Sequence, residues 1–312
     1  MKILVVSRLK STNKISIITQ RQMSSIEGFG HELSFFSINK GGVFGYVRAL
    51  IDLRKKLKTE VFEVVHAHYS LCGIISSLAG ARNLVVSLMG SDVKKSIFND
   101  FIVRYFVKNK WPKVVVKSDE MLATFKSLKP CSNEILVLPN GVNFKLFQPI
   151  DQKVAREKLG WELNSIIILF GSDPSRSEKR FDLAEKALNN LIVNKSKIKL
   201  KCLHNIEPED VTYYINGSDV VLLTSDREGS PNIIKEAMAC NVPIVTTSVG
   251  DVKKVIGNTL GCKVVSLNQA EIIANALSEI LNSTIKRTRG REQIQHLSDE
   301  HIAKRLIDFY GK

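Results

Sequence analysis

The segment from Val220 to Thr246 constrains the fold more than any other part of this 312-residue chain. Its first run, Val220–Leu223, has the length and apolar composition of a buried strand, and the run Val242–Thr246 predicts a second strand. Between them lies a Gly-Ser-Pro-Asn turn, and a helix is expected to open just after Pro231. A strand, a turn, a helix and another strand form a βαβ unit, which predicts parallel strands covered by helices.

Two glutamates in this unit, Glu228 and Glu236, are separated by seven residues. Free backbone N–H groups at a helix start, with the helix dipole behind them, bind phosphate or sugar oxygens. A carboxylate before the turn and another in the helix can face the same side, which suits them to gripping the hydroxyls of a nucleotide sugar. A generic βαβ unit with two surface glutamates is the plainer interpretation of the same residues.

The stretch from Ser218 to Gly250 resembles the donor-site signature of glycosyltransferase family 4, within the group 1 glycosyltransferases. The family pattern is a Glu, seven residues, a second Glu, then Ala-Met-Ala and a small turn before a Pro-containing strand, and this chain contains all of it. The resemblance implies the GT-B architecture, in which two Rossmann-like domains with parallel sheets face each other across a cleft. It also implies sugar transfer from a nucleoside diphosphate sugar with retention at the anomeric carbon.

The resemblance also implies roles for single residues in donor binding. Glu228 is expected to contact hydroxyls of the transferred sugar near the reacting carbon, and Glu236 the ribose hydroxyls. Because Pro231 has no N–H, the backbone donors that cradle the sugar and the distal phosphate are expected at four other positions. They are Gly229, Ser230, Asn232 and Ile233. The resemblance implies neither a metal nor any other cofactor, and the sequence offers no evident covalent nucleophile.

A cationic loop lies between the strand ending at Phe170 and the next helical segment. Sugar transfer leaves a diphosphate with growing negative charge, and a fixed cation stabilises that transition state. The family has an Arg and a Lys in this loop, with a Gly after the Lys. Lys179 matches the Lys, Arg180 stands in place of the Gly, and Arg176 is the nearest substitute for the Arg. Gly171 is expected to border the donor, and a solvated basic loop is the alternative interpretation.

Two segments of the N-terminal half lie at the C-terminal ends of predicted strands, where doubly wound sheets bind ligands. The first contains His66 and His68, which would share one strand face; no third metal ligand is evident, so a metal site is not expected. We expect His68 to face the site and His66 to pack inside, although either could be a structural histidine. The second resembles the family's His-Gly-Ser/Thr-Asp turn with Met89 in place of the His. Asp92 is then the substitute proton acceptor, or else an N-cap.

The whole composition indicates an ordinary globular protein, with 44% hydrophobic residues. No run of 18 apolar residues occurs, so no transmembrane helix is expected, and the N-terminal run Met1–Ser7 predicts a first buried strand rather than a signal peptide. Five scattered cysteines without CxxC spacing indicate a reducing cytoplasm, no disulfide framework and no structural zinc.

Strand-like apolar runs alternate with helical patterns along most of the chain, which predicts two Rossmann-like domains in series. Pro and Gly break the pattern between Leu138 and Pro149, and a polar helix is expected from Asp151. The predicted division is therefore an acceptor-binding domain over residues 1–148 and a nucleotide-sugar-binding domain over residues 149–297. By resemblance, a final helix over residues 298–312 packs back onto the first domain.

Charge is distributed unevenly between the two halves. Residues 1–150 contain 22 Lys and Arg against 10 Asp and Glu, a net of +12, whereas residues 151–312 have a net of +2. The first domain is therefore expected to meet an anionic membrane surface or a phosphate-bearing acceptor. The predicted helix Val93–Trp111 interleaves lysines with aromatics, which suits such a membrane, although a core-facing stripe with a solvated face is equally compatible. No nucleic-acid-binding motif accompanies the charge, so nucleic acid is not an expected partner.

These observations together predict a retaining glycosyltransferase of hexosyltransferase type. It would act on a hydroxyl of a glycan or lipid-linked acceptor in cell-surface polysaccharide or lipopolysaccharide biosynthesis. Its expected location is the cytoplasm, peripheral on the inner face of the membrane. The alternatives are a nucleotide-sugar epimerase or phosphorylase of the same fold, and a non-catalytic nucleotide- or membrane-binding module.

Overall fold

The computed structural model describes residues 1–9, 15–39, 42–89, 97–125, 134–191, 197–266 and 268–311. The chain forms two compact units, one built from Met1–Gly141 together with the segment from Asp299 onwards, and one from Val142–Ser298. The division lies at Gly141 rather than at residue 148. The reason is that Val142 already belongs to the second unit, where its N–H donates to the carbonyl of Leu297 and the residue forms an isolated bridge with Ser298.

The first unit contains, within its described residues, a six-stranded parallel sheet in the order β2-β1-β3-β4-β5-β6. Its strands are β1 Lys2–Arg8, β2 Glu32–Ile38, β3 Val64–His68, β4 Leu84–Ser87, β5 Lys113–Val116 and β6 Glu134–Val137. Its helices are α1 Ile17–Glu27, α2 Gly42–Thr59, α3 Ser70–Leu78, α4 Ile97–Asn109, α5 Asp119–Phe125 and α13 Asp299–Gly311.

Alternation along β3 shows how the helices are divided between the two faces of this sheet. Val65 and Ala67 join one apolar cluster with buried residues of α2, α3, α4 and α5. His66 points the other way, because successive strand residues face opposite sides, and its Nδ1 lies 2.6 Å from the Tyr310 hydroxyl of α13. The final helix α13 therefore belongs to the first unit, where Lys113 Nζ also donates to the carbonyl of Phe309.

The second unit contains, in the part of it that is described, a five-stranded parallel sheet in the order β11-β10-β9-β7-β8. Its strands are β7 Ile166–Phe170, β8 Ile198–Cys202, β9 Val220–Leu223, β10 Ile244–Thr247 and β11 Cys262–Val265. Its helices are α6 Gln152–Leu159, α7 Phe181–Asn189, α8 Val211–Gly217, α9 Asn232–Ala239, α10 Val252–Ile256, α11 Ala270–Asn282 and α12 Gly290–Gln293. The predicted fold class, two Rossmann-like units with parallel sheets, is confirmed.

The polar helix expected after Asp151 is α6, and its ends explain its position. The Asp151 carboxylate accepts from the backbone N–H groups of Lys153 and Val154, which caps the helix start. Gly160 ends the helix in the left-handed conformation that glycine adopts without steric cost. The buried Arg156 on this helix pairs with Asp219 at 2.8 Å, just before β9. The first helix of the unit is thereby fixed to the sheet that carries the site.

Candidate functional site

Two loops meet at the carboxyl ends of adjacent strands in the second unit. Strands β7 and β9 are paired in parallel, so the segments that follow Phe170 and Leu223 leave the same edge of the sheet. Helix α9 begins at Asn232, directly after Pro231, and β10 follows it. The βαβ unit expected from the sequence is therefore present.

Lys179 and Glu228, one from each loop, form an ion pair. The Lys179 Nζ lies 2.5 Å from Oε1 of Glu228, and the Ser225 hydroxyl donates to the same oxygen at 2.9 Å. Both charged side chains are largely buried. Because each charge has lost much of its water, each depends on the other for compensation. A polar group arriving here must therefore replace these contacts rather than merely add to them.

Hydrogen bonds to backbone carbonyl groups hold the two loops together around this pair. The Thr224 hydroxyl lies 2.9 Å from the carbonyl oxygens of both Lys179 and Arg180, which share its one proton, and the N–H of Asp226 donates to the carbonyl of Glu178. Thr247, at the end of β10, donates its hydroxyl to the Ser225 carbonyl at 2.7 Å. These hydrogen bonds fix the two loops, so both side chains of the ion pair are held in place before any ligand binds.

Arg180 occupies the position of the family glycine and keeps a glycine-like backbone, with φ of 54° and ψ of 52°. A non-glycine residue in this left-handed region costs on the order of 1 kcal/mol. Its guanidinium pairs with Asp182 and with Asp226 across the loops, at 2.9 and 3.1 Å. These contacts hold the side chain beside the framework, so the loop retains its shape despite the substitution.

Arg176 has a different partner from Lys179. Its guanidinium pairs with Glu178 at 2.5 Å, and the side chain is 55% exposed. Together with Pro174, Phe181 and Glu185 it lines a shallow surface pocket. The structure therefore brings Lys179 and Glu228 together, while Arg176 forms a separate pair on the exposed side of the loop.

A second group of charged side chains, Lys235 and Asp251 linked through Ser230, lies on the other side of the turn and was not singled out by the sequence analysis. The Ser230 hydroxyl donates to Oδ2 of Asp251 at 2.6 Å and accepts from Lys235 Nζ at 3.0 Å. Lys235 is fully buried among Ile233, Ile234 and the apolar residues that follow it in α9. A lysine in the buried phase of a short helix is the one sequence signal that could have marked it.

Burial raises the pKa of the Asp251 carboxyl, and the nearby Lys235 ammonium opposes that rise. The preceding residue, Gly250, has a φ of 53°, and a Cβ built there would stand 2.4 Å from the carbonyl oxygen of Gly229. The Ser230 bridge and this close approach fix the turn over residues 228–230 against the loop that follows β10. The turn that should bind the donor is therefore restrained from two sides.

The remaining expected donor contacts surround the start of α9. Ile233 packs against Gly171, where an added Cβ would come within 2.6 Å of the Ile233 Cγ1 atom, so this glycine lets the end of β7 approach the helix start. Glu236 lies one turn inside the helix and is partly buried, as is Asn232 at its first position. The N-terminal N–H groups of α9 carry no side-chain cap from Pro231.

His66 and His68 are both fully buried, which corrects the expectation that His68 faces an open site while His66 packs inside. They share one face of β3 with ring centroids 4.3 Å apart. His66 contacts the Tyr310 hydroxyl and the Ser87 hydroxyl, at 2.6 and 2.8 Å, whereas neither ring nitrogen of His68 has a hydrogen-bond partner among the described residues. Asp92 lies outside the described residues.

Stability should depend on pH through His68. Burial, and then the nearby Lys117 ammonium, lower its pKa to about 3, below the ordinary 6.5. The stabilising contribution of the neutral ring is thus complete above pH 6.5 and is lost as the pH falls toward 3, by up to about 1.4 kcal/mol per pH unit. We expect urea unfolding of the protein to show this slope and His68→Gln to reduce it. An NMR titration of His68 with a midpoint near pH 6.5 would contradict the lowered pKa of its ring.

The residues that the structure describes contain no group of three or more His, Cys, Asp or Glu placed to hold a metal ion. None of the helices within them is both long and apolar enough to cross a bilayer.

The sequence of the second unit is similar to a known class of protein. Residues 167–296 match the sequence model of the family described as "Glycosyl transferases group 1". That match spans most of the second unit, and the two Rossmann-like units have the GT-B fold of the similar solved structures.

Individual similar proteins agree with this class. The chain is 25% identical, over 287 residues, to the Escherichia coli UDP-Gal:alpha-D-GlcNAc-diphosphoundecaprenol alpha-1,3-galactosyltransferase, covering 78% of this chain and 74% of that protein. Among solved structures, Anabaena HepE in complex with UDP and glucose is similar with a TM-score of 0.79 at 14% identity, over 100% of this chain and 99% of that one. The lipopolysaccharide outer core galactosyltransferase WaaB is similar with a TM-score of 0.73 at 13% identity, over 99% of each chain.

Proposed function

We propose that this protein is a retaining glycosyltransferase of family 4 that transfers a hexose from a nucleoside diphosphate sugar to a hydroxyl of a glycan or lipid-linked acceptor. The observation that carries the proposal is the buried Lys179–Glu228 pair in the loops that precede the starts of α7 and α9. A cation, a carboxylate and a helix N-terminus are the three groups that a sugar diphosphate needs, for its phosphates and for its hydroxyls.

Donor binding exchanges the partners of this pair. In the structure the Lys179 ammonium and the Glu228 carboxylate neutralise each other at 2.5 Å. When the donor enters, the diphosphate takes Lys179 as its counter-ion and the sugar hydroxyls donate to Glu228. The exchange keeps both buried charges compensated, and the positive charge of Lys179 then opposes the charge that grows on the leaving diphosphate.

The turn and helix supply the other donor contacts. The N–H groups of Gly229, Ser230, Asn232 and Ile233 cradle the sugar and the distal phosphate, and Glu236 accepts from the ribose hydroxyls. Arg176 supplements Lys179 once it exchanges Glu178 for phosphate. Departure and attack occur on the same face of the sugar, and the leaving diphosphate receives the acceptor proton, so neither an enzyme nucleophile nor a metal ion is required.

The acceptor side is proposed to reside in the basic first unit. The net charge of +12 over residues 1–150 favours an acceptor that carries phosphate or lies on an anionic membrane surface. The name of the Escherichia coli relative specifies a diphosphate-linked lipid acceptor, and the WaaB structure concerns lipopolysaccharide. By analogy, the protein acts in cell-surface polysaccharide or lipopolysaccharide assembly in the cytoplasm, at the inner face of the membrane, with Asp92 near the acceptor.

A thermal-shift panel of UDP, GDP and ADP, without and then with Mg²⁺, tests the donor site. We expect one diphosphate to raise the melting temperature selectively, since saturation at 100 times Kd stabilises the bound unit by about 2.7 kcal/mol. The shift should not require Mg²⁺, and Lys179→Ala should reduce it. No shift with any of the three nucleotides would contradict the proposed function.

A further inference from the structure

Helix α2 of the first unit exposes apolar side chains that a solvated helix would normally bury. Phe44 is 92% exposed and Val43 is 77% exposed, and two further positions are half exposed, Val47 and Ile51. Residues 44, 47 and 51 recur at helical spacing, so they form one stripe along the first half of α2. The opposite side of the helix buries Ala49 and Leu53 in the core of the unit. The exposed stripe is therefore additional to the face that holds the helix in place.

Positive charge continues this stripe toward the end of the helix. Lys55 and Lys58 lie on the same side as Ile51, one and two turns further along, and both are exposed. Arg48 beside the stripe is 78% exposed, and its contact with Asp52 is a loose one of 3.8 Å. Asp52 is the one acidic residue in the sequence of α2. The outward side of α2 is thus apolar in its first half and cationic in its second.

Helix α4 repeats this arrangement on the same face of the sheet. Phe101 is 70% exposed, Tyr105 lies one turn later and Lys108 almost one turn beyond it, so all three share one side of the helix. The buried side of α4, with Val103 and Val107, joins the same apolar cluster as Ala49 and Leu53 of α2. Both helices therefore cover one face of the sheet and both direct aromatic and basic residues outward.

We propose that these two exposed stripes form a docking surface for an anionic lipid bilayer, here called the α2–α4 surface. Its members are Val43, Phe44, Val47, Arg48, Ile51, Lys55, Lys58, Phe101, Tyr105 and Lys108. Apolar and aromatic side chains enter the interface between headgroups and acyl chains, while lysines and arginines stay level with the anionic headgroups. An anionic bilayer complements this surface, because its headgroups are negative where the stripes are cationic and its acyl chains are apolar where the stripes are apolar. This inference rests on the proposed function in one respect: the surface would bring a glycosyltransferase to its lipid-linked acceptor.

The first test is co-sedimentation with vesicles of equal parts phosphatidylcholine and phosphatidylglycerol. The full chain should bind at low salt and dissociate as salt rises, because screening weakens attraction between surface charges and headgroups. The double variant Val43→Ser/Phe44→Ser should lower the partition coefficient about tenfold, and Lys55→Glu/Lys58→Glu should abolish the preference for phosphatidylglycerol over pure phosphatidylcholine. These side chains are exposed, so the fold should tolerate the changes.

The matched control is Val61→Ser, two residues beyond the end of α2. Val61 is 88% exposed in the same unit, and the helix between Phe44 and Thr59 is about 22 Å long. This variant should bind vesicles like the unchanged protein. Absence of binding at low salt, equal binding by Val43→Ser/Phe44→Ser, or an equal loss in Val61→Ser would each overturn the proposal. So would a dimer in light scattering that the double variant dissociates, since a second copy would then cover the surface.

The same proteins separate this inference from the proposed function. All three variants should keep the nucleotide-induced rise in melting temperature, because the donor site lies in the other unit. Vesicle binding without any nucleotide response would leave the docking surface supported and the donor site refuted. A nucleotide response without vesicle binding would leave the donor site supported and the docking surface refuted.

Discussion

Replacing Glu228 with glutamine is expected to lower turnover by about a hundredfold to a thousandfold. Glutamine has the same shape and keeps an oxygen that can accept from Ser225 and Lys179, which contact this carboxylate at 2.9 and 2.5 Å. The loss of turnover should come from the missing negative charge toward the sugar, and the melting temperature of the unliganded variant measures separately what the uncompensated Lys179 ammonium costs in stability. Release of the diphosphate from the donor selected in the thermal-shift panel, with and without acceptor, measures it.

The matched control for this change is Glu185→Gln. Glu185 is an exposed carboxylate on α7 of the same unit, and its removal should change turnover less than twofold, which is about 0.4 kcal/mol. The Glu228→Gln protein should still melt at a higher temperature in the presence of the free nucleoside diphosphate, since the sugar contact is absent from that ligand. Near-normal turnover in Glu228→Gln would remove Glu228 from the reaction. Sugar interconversion without transfer would indicate an epimerase instead.

Lys235→Met is expected to lower the free energy of unfolding of the second unit by about 3–5 kcal/mol. Methionine fills similar space without a charge, so Asp251 loses the buried cation that opposes the rise in its pKa. The double variant Lys235→Met/Asp251→Asn should be less destabilised than the single one, because neither charge then remains without its partner. Native-state hydrogen exchange of the amides in β9 and β10 reports the loss for this unit alone.

The pH dependence of the Lys235→Met defect has a defined sign. Without the ammonium the pKa of Asp251 should rise further, and a protonated carboxyl is less costly to bury than a charged one. The destabilisation should thus shrink as the pH falls through that raised pKa. Lys253→Met, which removes an exposed lysine of α10, should stay within about 0.5 kcal/mol at every pH. If both variants lost the same free energy of unfolding at every pH, Lys235 would have no particular role in stabilising the Asp251 carboxylate.

Local sequence pattern is sufficient to predict the strand, turn and helix that carry Glu228. The apolar run Val220–Leu223 and the position of Pro231 define where β9 ends and α9 begins, because strand burial and helix initiation depend on neighbouring residues. The signature also places Glu228 in the loop before α9, whereas its contact with Lys179 is visible only in the structure.

Pairings between separate loops are not encoded in such local patterns. Ser230, Lys235 and Asp251 lie on a turn, a helix and a loop after the next strand, so their contact depends on how tightly Gly250 packs on the turn. The alternation of β3 predicts that His66 and His68 share a face, but not that this face is buried. Burial there comes from tertiary packing, including helix α13, which is more than 200 residues away in sequence.

The path of the chain between the units has a consequence for the order in which the protein can fold during synthesis. The chain leaves the first unit at Gly141 and returns to it at Asp299, and Val142 and Ser298 bridge the two ends of the intervening unit. All of Val142–Ser298 therefore emerges from the ribosome before α13 does, and it can close on itself while the first unit still lacks a helix. Until Tyr310 arrives, one side of His66 is without its hydroxyl partner. The second unit is thus able to fold first, and the first unit acquires its complete core only when α13 has been translated.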